Sequence, residues 1–165
     1  MKNIAYKIFL VLVGVFFSAL VSATCLPIQG TLQTQSIDGT DQVGTITMTS
    51  SNLLAFRKAF GQIFIIGGIK GTITNQTVAT IYLDHEIGFP GIGSLISVND
   101  AATFTGNPDK EGNYPTTETG AIEAAPNPYG GAFNGWTFPD GWIATGTVGT
   151  KTGTNAFTYT GKICK

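Results

Sequence analysis

Residues 71–105 read GTITNQTVATIYLDHEIGFPGIGSLISVNDAATFT, two alternating runs on either side of Pro90-Gly91. From Thr77 the odd positions are Thr77, Ala79, Ile81, Leu83, His85, Ile87 and Phe89. The even positions are Val78, Thr80, Tyr82, Asp84, Glu86 and Gly88. A strand sends alternate side chains to opposite faces, so the mostly apolar odd set belongs to a core and the even set to the other face. The stretch therefore predicts a β-hairpin. His85, the single histidine of the chain, falls in the inward set, and Asp84 and Glu86 fall outside it.

The same period extends on both sides. Cys25 to Ile37 alternates through Leu26, Ile28, Gly30 and Leu32, and Asp38-Gly39 is a hairpin turn signal leading into a strand from Gln42 to Ser50. The period then changes, predicting a short helix from Asn52 to Phe60, capped by Ser51 and ended by Gly61. Gln62 to Asn75 returns to strand, with a bulge or sharp bend expected at Gly67-Gly68. Gly106 to Asn134 is rich in Gly, Pro and Asn and predicts loops with one short strand at Gly120 to Ala124. Gly141 to Gly149 and Asn155 to Cys164 form a closing hairpin over Lys151-Thr152-Gly153.

About eight strands joined mainly by short turns define an all-β domain, either a closed antiparallel β-barrel or a β-sandwich. The glycine bends and the placement of the two cysteines favour the barrel. Cys25 and Cys164 stand near the two ends of residues 24–165, and a disulfide between them brings the first and last strands together.

The compartment is read from the N-terminus. Lys2 and Lys7 precede an apolar run from Ile8 to Val21, and Val21-Ser22-Ala23 is a small-residue cleavage site. Residues 1–23 thus read as a signal peptide and residues 24–165 as one exported domain, secreted or periplasmic. No second apolar run follows to span a membrane. With 9 Lys+Arg against 10 Asp+Glu and no basic patch, nucleic acid is not an expected partner. The sparse charge and the many β-branched residues exclude a disordered chain. The composition leaves an oligomer open.

Several short pieces resemble the secreted bacterial barrels similar to the dirigent and allene oxide cyclase group. They are Leu83-Asp84-His85-Glu86-Ile87, Ser94 to Asp100, Thr145-Gly146-Thr147 and Phe157-Thr158-Tyr159-Thr160-Gly161. The resemblance implies an eight-stranded barrel with an apolar interior. It carries no catalytic residue set onto this chain.

Candidate site residues are few. His85 within an apolar interior is a ligand anchor or acid–base group, or else a core histidine satisfied by a neighbour. Burial is expected to lower its pKa, so that stability falls as pH drops. Asp84, Glu86 and Asp100 read as solvated strand carboxylates, and Asn107 to Glu111 as a polar loop, so no metal or cofactor site is expected. The aromatic-glycine stretch Tyr129 to Trp142 suits either a lid or a plug for one barrel end. The ligand-contacting set is accordingly His85, Phe89, Tyr129, Trp136 and Trp142. The Thr-x-Thr pairs, such as Thr45/Thr47 and Thr158/Thr160, read as outward strand residues rather than an ice-binding array. The leading function is a barrel that binds a small apolar molecule without catalysis. Alternatives are a cyclase- or isomerase-like enzyme using His85 or Tyr82, and a structural or adhesive surface protein.

Overall fold

The computed structural model describes residues 24–165; the expected signal peptide lies outside them. Eight strands run β1 (Cys25–Ser36), β2 (Asp41–Thr49), β3 (Phe64–Gln76), β4 (Thr80–Phe89), β5 (Gly93–Phe104), β6 (Asn113–Ala124), β7 (Trp142–Gly149) and β8 (Thr154–Cys164). They pair antiparallel in chain order, and β8 returns to β1. The sheet is thus a closed barrel and not a sandwich. Closure leaves no unpaired edge, which removes the usual template for edge-to-edge aggregation. Cys25 and Cys164 are opposite each other in the β1–β8 ladder and are disulfide-bonded.

One end of the barrel is plugged. Helix α1 (Leu53–Phe60) crosses from β2 to β3, with Asn52 as its N-cap: Asn52 Oδ1 accepts from the Ala55 N–H, where Ser51 was the expected cap. Gly61 ends it in the left-handed region (φ 77°), its N–H donating to the Arg57 carbonyl. Phe56 and Phe60 are buried; Phe60 packs against Phe56, Phe133 and Trp136, and Phe133 against Phe89, at ring separations of 4.9–5.7 Å. The opposite end carries the β1–β2, β3–β4, β5–β6 and β7–β8 connections.

Two expectations are corrected. β6 is a full strand of 12 residues where loop was expected through residue 119. Its inward set is Tyr114, Thr116, Glu118, Gly120 and Ile122, so polar and small residues replace the apolar alternation that identifies a strand. Pro115 lies on the outer face opposite Thr147. At Gly67-Gly68 the β2–β3 register runs unbroken, so there is no bulge there. Gly67 instead gives up its side chain to Phe89, whose ring lies 2.8 Å from where a Cβ would stand.

β3 breaks register later, against β4 between Ile73 and Asn75, and a second irregularity lies in β5. Its register against β6 shifts between Val98 and Ala101, and against β4 between Leu83 and His85. Asn99, at φ 60°, is the extra residue. A bulge adds one residue and resets which side chains face in. Outside, the register aligns Thr103, Thr117, Thr145, Thr158 and Thr31 across five strands in a row that curves with the barrel.

Candidate functional site

Four polar side chains meet inside the wall made by β4, β5 and β6. The plain alternation of β4 turns His85 inward, leaving it 3% exposed. On β5 the bulge lets both Ser97 and Asp100 face the interior, although an unbroken strand would send them to opposite faces. β6 supplies Glu118. All four are buried.

His85 Nδ1 lies 2.7 Å from Asp100 Oδ2 and 3.8 Å from Glu118 Oε1. The shorter contact is a hydrogen bond in which Nδ1–H donates to Asp100. That bond fixes the neutral tautomer and leaves Nε2 as the free nitrogen. Nε2 sits beside Gly71, where a Cβ would come within 3.0 Å of it. The Ser97 hydroxyl holds the other oxygen of Asp100 and also lies 2.7 Å from the Ala121 carbonyl. Gly120 is a second enforced gap: a side chain there would overlap the Asp100 carboxyl group. Trp142 stands edge-on to His85 at 5.7 Å and packs against Tyr159 at 5.5 Å. The Tyr159 hydroxyl donates to the Thr47 carbonyl at 2.6 Å, and burial raises its pKa.

Two buried atoms of this group have no hydrogen-bond partner, Glu118 Oε1 and Trp142 Nε1. Buried polar atoms left unpaired cost free energy, and both of these belong to residues in contact with the His85 ring. Burial pushes the Glu118 carboxyl up to about 7, against a smaller opposing pull from His85. For His85, burial works to lower the pKa, but the Asp100 hydrogen bond and the charges of Glu118, Asp100 and Asp84 outweigh it, and the net shift is upward. The expected depression is thus overturned, because the ring has a carboxyl partner that alternation alone did not reveal.

A narrow cavity descends to this cluster from the end opposite the plug. It has room for about one water molecule. His85 and Glu118 form its floor. Leu32, Ile81, Leu83 and Phe157 are among its apolar walls, and Thr34, Gln42 and Asn155 form a polar rim.

Of the expected ligand-contacting residues, the structure brings His85 and Trp142 together. Phe89 and Trp136 lie in the aromatic plug at the other end, and Tyr129 is 72% exposed on the outer surface. Asp84 and Glu86 do face away from the interior, but Asp100 departs from them and joins His85. His85, Asp100 and Glu118 offer donor atoms within 4.8 Å of one another. A cation among them would have to displace the Nδ1 proton that Asp100 accepts. Residues 107–111 form a polar turn in which Asp109 accepts from the backbone and side chain of Asn113.

Fold and site together define a disulfide-closed, eight-stranded antiparallel barrel with a buried ionisable cluster at the foot of a narrow cavity. The chain matches no family model, no curated protein and no solved structure. Among the described residues no helix is long and apolar enough to cross a membrane, which leaves the barrel itself unaddressed.

Proposed function

We propose that the protein is an extracytoplasmic proton-transfer catalyst of the isomerase or cyclase class, acting on a small, mainly apolar molecule that enters by widening the narrow cavity between Leu32, Ile81, Leu83 and Phe157. One observation carries this reading: Asp100 holds His85 through Nδ1, the Glu118 carboxyl poised near neutrality lies 3.8 Å from that same nitrogen, and Nε2 is left free. An oriented imidazole and a carboxyl that titrates near neutrality can take a proton from one carbon and return it to another. The dirigent and allene oxide cyclase resemblance supports the barrel scaffold for this reading and not its catalytic residues. The disulfide fits an oxidising compartment.

The test is hydrogen exchange at carbon. Methyl butyl ketone incubated with the protein in heavy water should take up deuterium next to its carbonyl faster than with the same concentration of free imidazole. His85→Gln and Glu118→Gln, if folded, should each lose the acceleration. A rate no better than imidazole would contradict the proposal.

A further inference from the structure

The outside of the plugged end combines exposed apolar and basic side chains. Among the described residues, five of the eleven exposed large apolar side chains fall in one stretch: Leu53, Leu54, Ile63, Phe64 and Ile66. Single exposed apolar residues are ordinary on a protein surface, but a gathered group marks a contact. Leu54 is 82% exposed, although Phe56 and Phe60 on the same helix are buried. Helical spacing puts Leu54 on one face with Arg57 and Lys58, both exposed. α1 therefore turns an aromatic side towards the barrel and a mixed apolar and basic side outwards. Ile63 and Phe64 follow where β3 begins, and the Ile63 carbonyl accepts from Thr49 Oγ1 at the end of β2. Beside the helix, Lys58 lines a groove with Leu26, Ala59 and Trp136, which carries the same mixture across to β1.

The charge of this face has one sign. From residue 42 to residue 83 the chain contains Arg57, Lys58 and Lys70 and no Asp or Glu. The acids of neighbouring elements are engaged or distant. Glu86 on β4 stands opposite Lys70 in the β3–β4 ladder, and Asp140 pairs with Lys162 at 3.1 Å. Glu123 is on β6, across the barrel from β2. Among the described residues, neither Arg57 nor Lys58 has an acidic partner.

The charge decides between occupants. A two-fold contact with a second copy would set Arg57 and Lys58 against themselves with no acid to pair. An anionic bilayer suits both components of the face: its acyl region takes up Leu54 and Ile63, and its headgroups attract the cations. An indole such as that of Trp136 also suits the boundary between the two regions.

We propose that the α1 end of the barrel docks on an anionic lipid bilayer, with Leu54 and Ile63 inserted and Arg57 and Lys58 against the headgroup phosphates. This is a contact with the surface and not a crossing of the bilayer. It does not depend on the His85 cluster, whose cavity opens at the other end.

The test is sedimentation of the purified protein with vesicles, either of phosphatidylcholine alone or of phosphatidylcholine and phosphatidylglycerol mixed equally. The protein should pellet with the mixed vesicles and not with phosphatidylcholine, and high salt should release it. Replacing both Arg57→Gln and Lys58→Gln should weaken binding roughly 25-fold, at about fivefold for each charge. Leu54→Gln should weaken it about tenfold; should that variant not fold, Ile63→Gln carries the same comparison. Val78→Gln, at a fully exposed valine of the opposite end, should leave binding unaltered. Residues 1–23 are common to every variant, so a difference between variants reports this face alone. Nitroxide-labelled phosphatidylglycerol should broaden the methyl signals of Leu54 and Ile63 and spare those of Val78. No binding, equal binding to the two kinds of vesicle, binding indifferent to Leu54 and to the two charges, or equal broadening at Val78 would overturn the proposal. So would a dimer that Leu54→Gln dissociates, in a protein that ignores both vesicles.

Discussion

Asp84 on the outer face of β4 accepts a hydrogen bond from the backbone N–H of Asn99 on β5, at 2.7 Å. This contact holds the bulge that turns Asp100 inward. An outward carboxylate thereby fixes the position of an inward one. Asn99 supports the same geometry, because asparagine tolerates a left-handed backbone better than most residues.

Asn99→Val should therefore destabilise the protein by about 1–2 kcal/mol, since a β-branched residue resists φ 60°. Asn99→Gly should be neutral or slightly stabilising. Denaturant midpoints for the two variants provide the check, and equal loss in both would show that the side chain, not the backbone conformation, matters.

Gly120→Ala should be severe. The new methyl group would occupy the place of the Asp100 carboxyl and crowd Trp142. Overpacking costs typically 1–3 kcal/mol. The variant should show lowered thermal stability and a His85 Nδ1 no longer bonded to Asp100, seen as loss of its slowly exchanging imidazole proton. A variant with wild-type stability and an intact signal would place Asp100 elsewhere.

The pH dependence has a definite sign. Glu118 has a folded pKa of about 7 against an ordinary value of 4.5, and His85 is raised above 6.5. The native state therefore binds more protons than the unfolded chain, and stability falls as pH rises. The contribution of Glu118 is complete below 4.5 and lost as pH climbs through about 7. That of His85 is complete below 6.5 and lost above its raised folded value. The Glu118 part is worth roughly 3 kcal/mol. Urea unfolding from pH 4.5 to pH 8 should show this decline, and Glu118→Gln should flatten its lower half. A rise in stability with pH from these groups would contradict the geometry.

Breaking the disulfide should cost about 2–5 kcal/mol, because it ties residues 139 apart in sequence. Cys164→Ala read by thermal unfolding gives the value. A loss much smaller than this would mean that the β1–β8 ladder alone closes the barrel.

How much of this was legible in the sequence follows from what each signal depends on. His85 was placed correctly because β4 has an unbroken period of two and strongly apolar neighbours. The barrel was legible from repeated alternation and from the positions of Cys25 and Cys164. Asp100 was missed because a single extra residue, Asn99, resets the alternation, and nothing local announces a bulge that a distant carboxylate stabilises. Glu118 was missed because β6 fills its inward face with Thr, Glu and Gly, so the strand itself reads as loop. The parity shared by Thr116, Glu118 and Ile122 was the one signal available, and Pro115 and Gly120 obscured it.

The central claim is that His85 is buried, bonded through Nδ1 to Asp100, and charged more readily than a free imidazole. Nitrogen NMR of the single histidine across pH reads all of it directly. The account predicts a proton on Nδ1 in the neutral form, slow exchange of that proton with solvent, and a titration midpoint above 6.5 that drops when Asp100 is replaced by Asn. A proton on Nε2 in the neutral form, or a midpoint at or below the free value in the native protein, would contradict it.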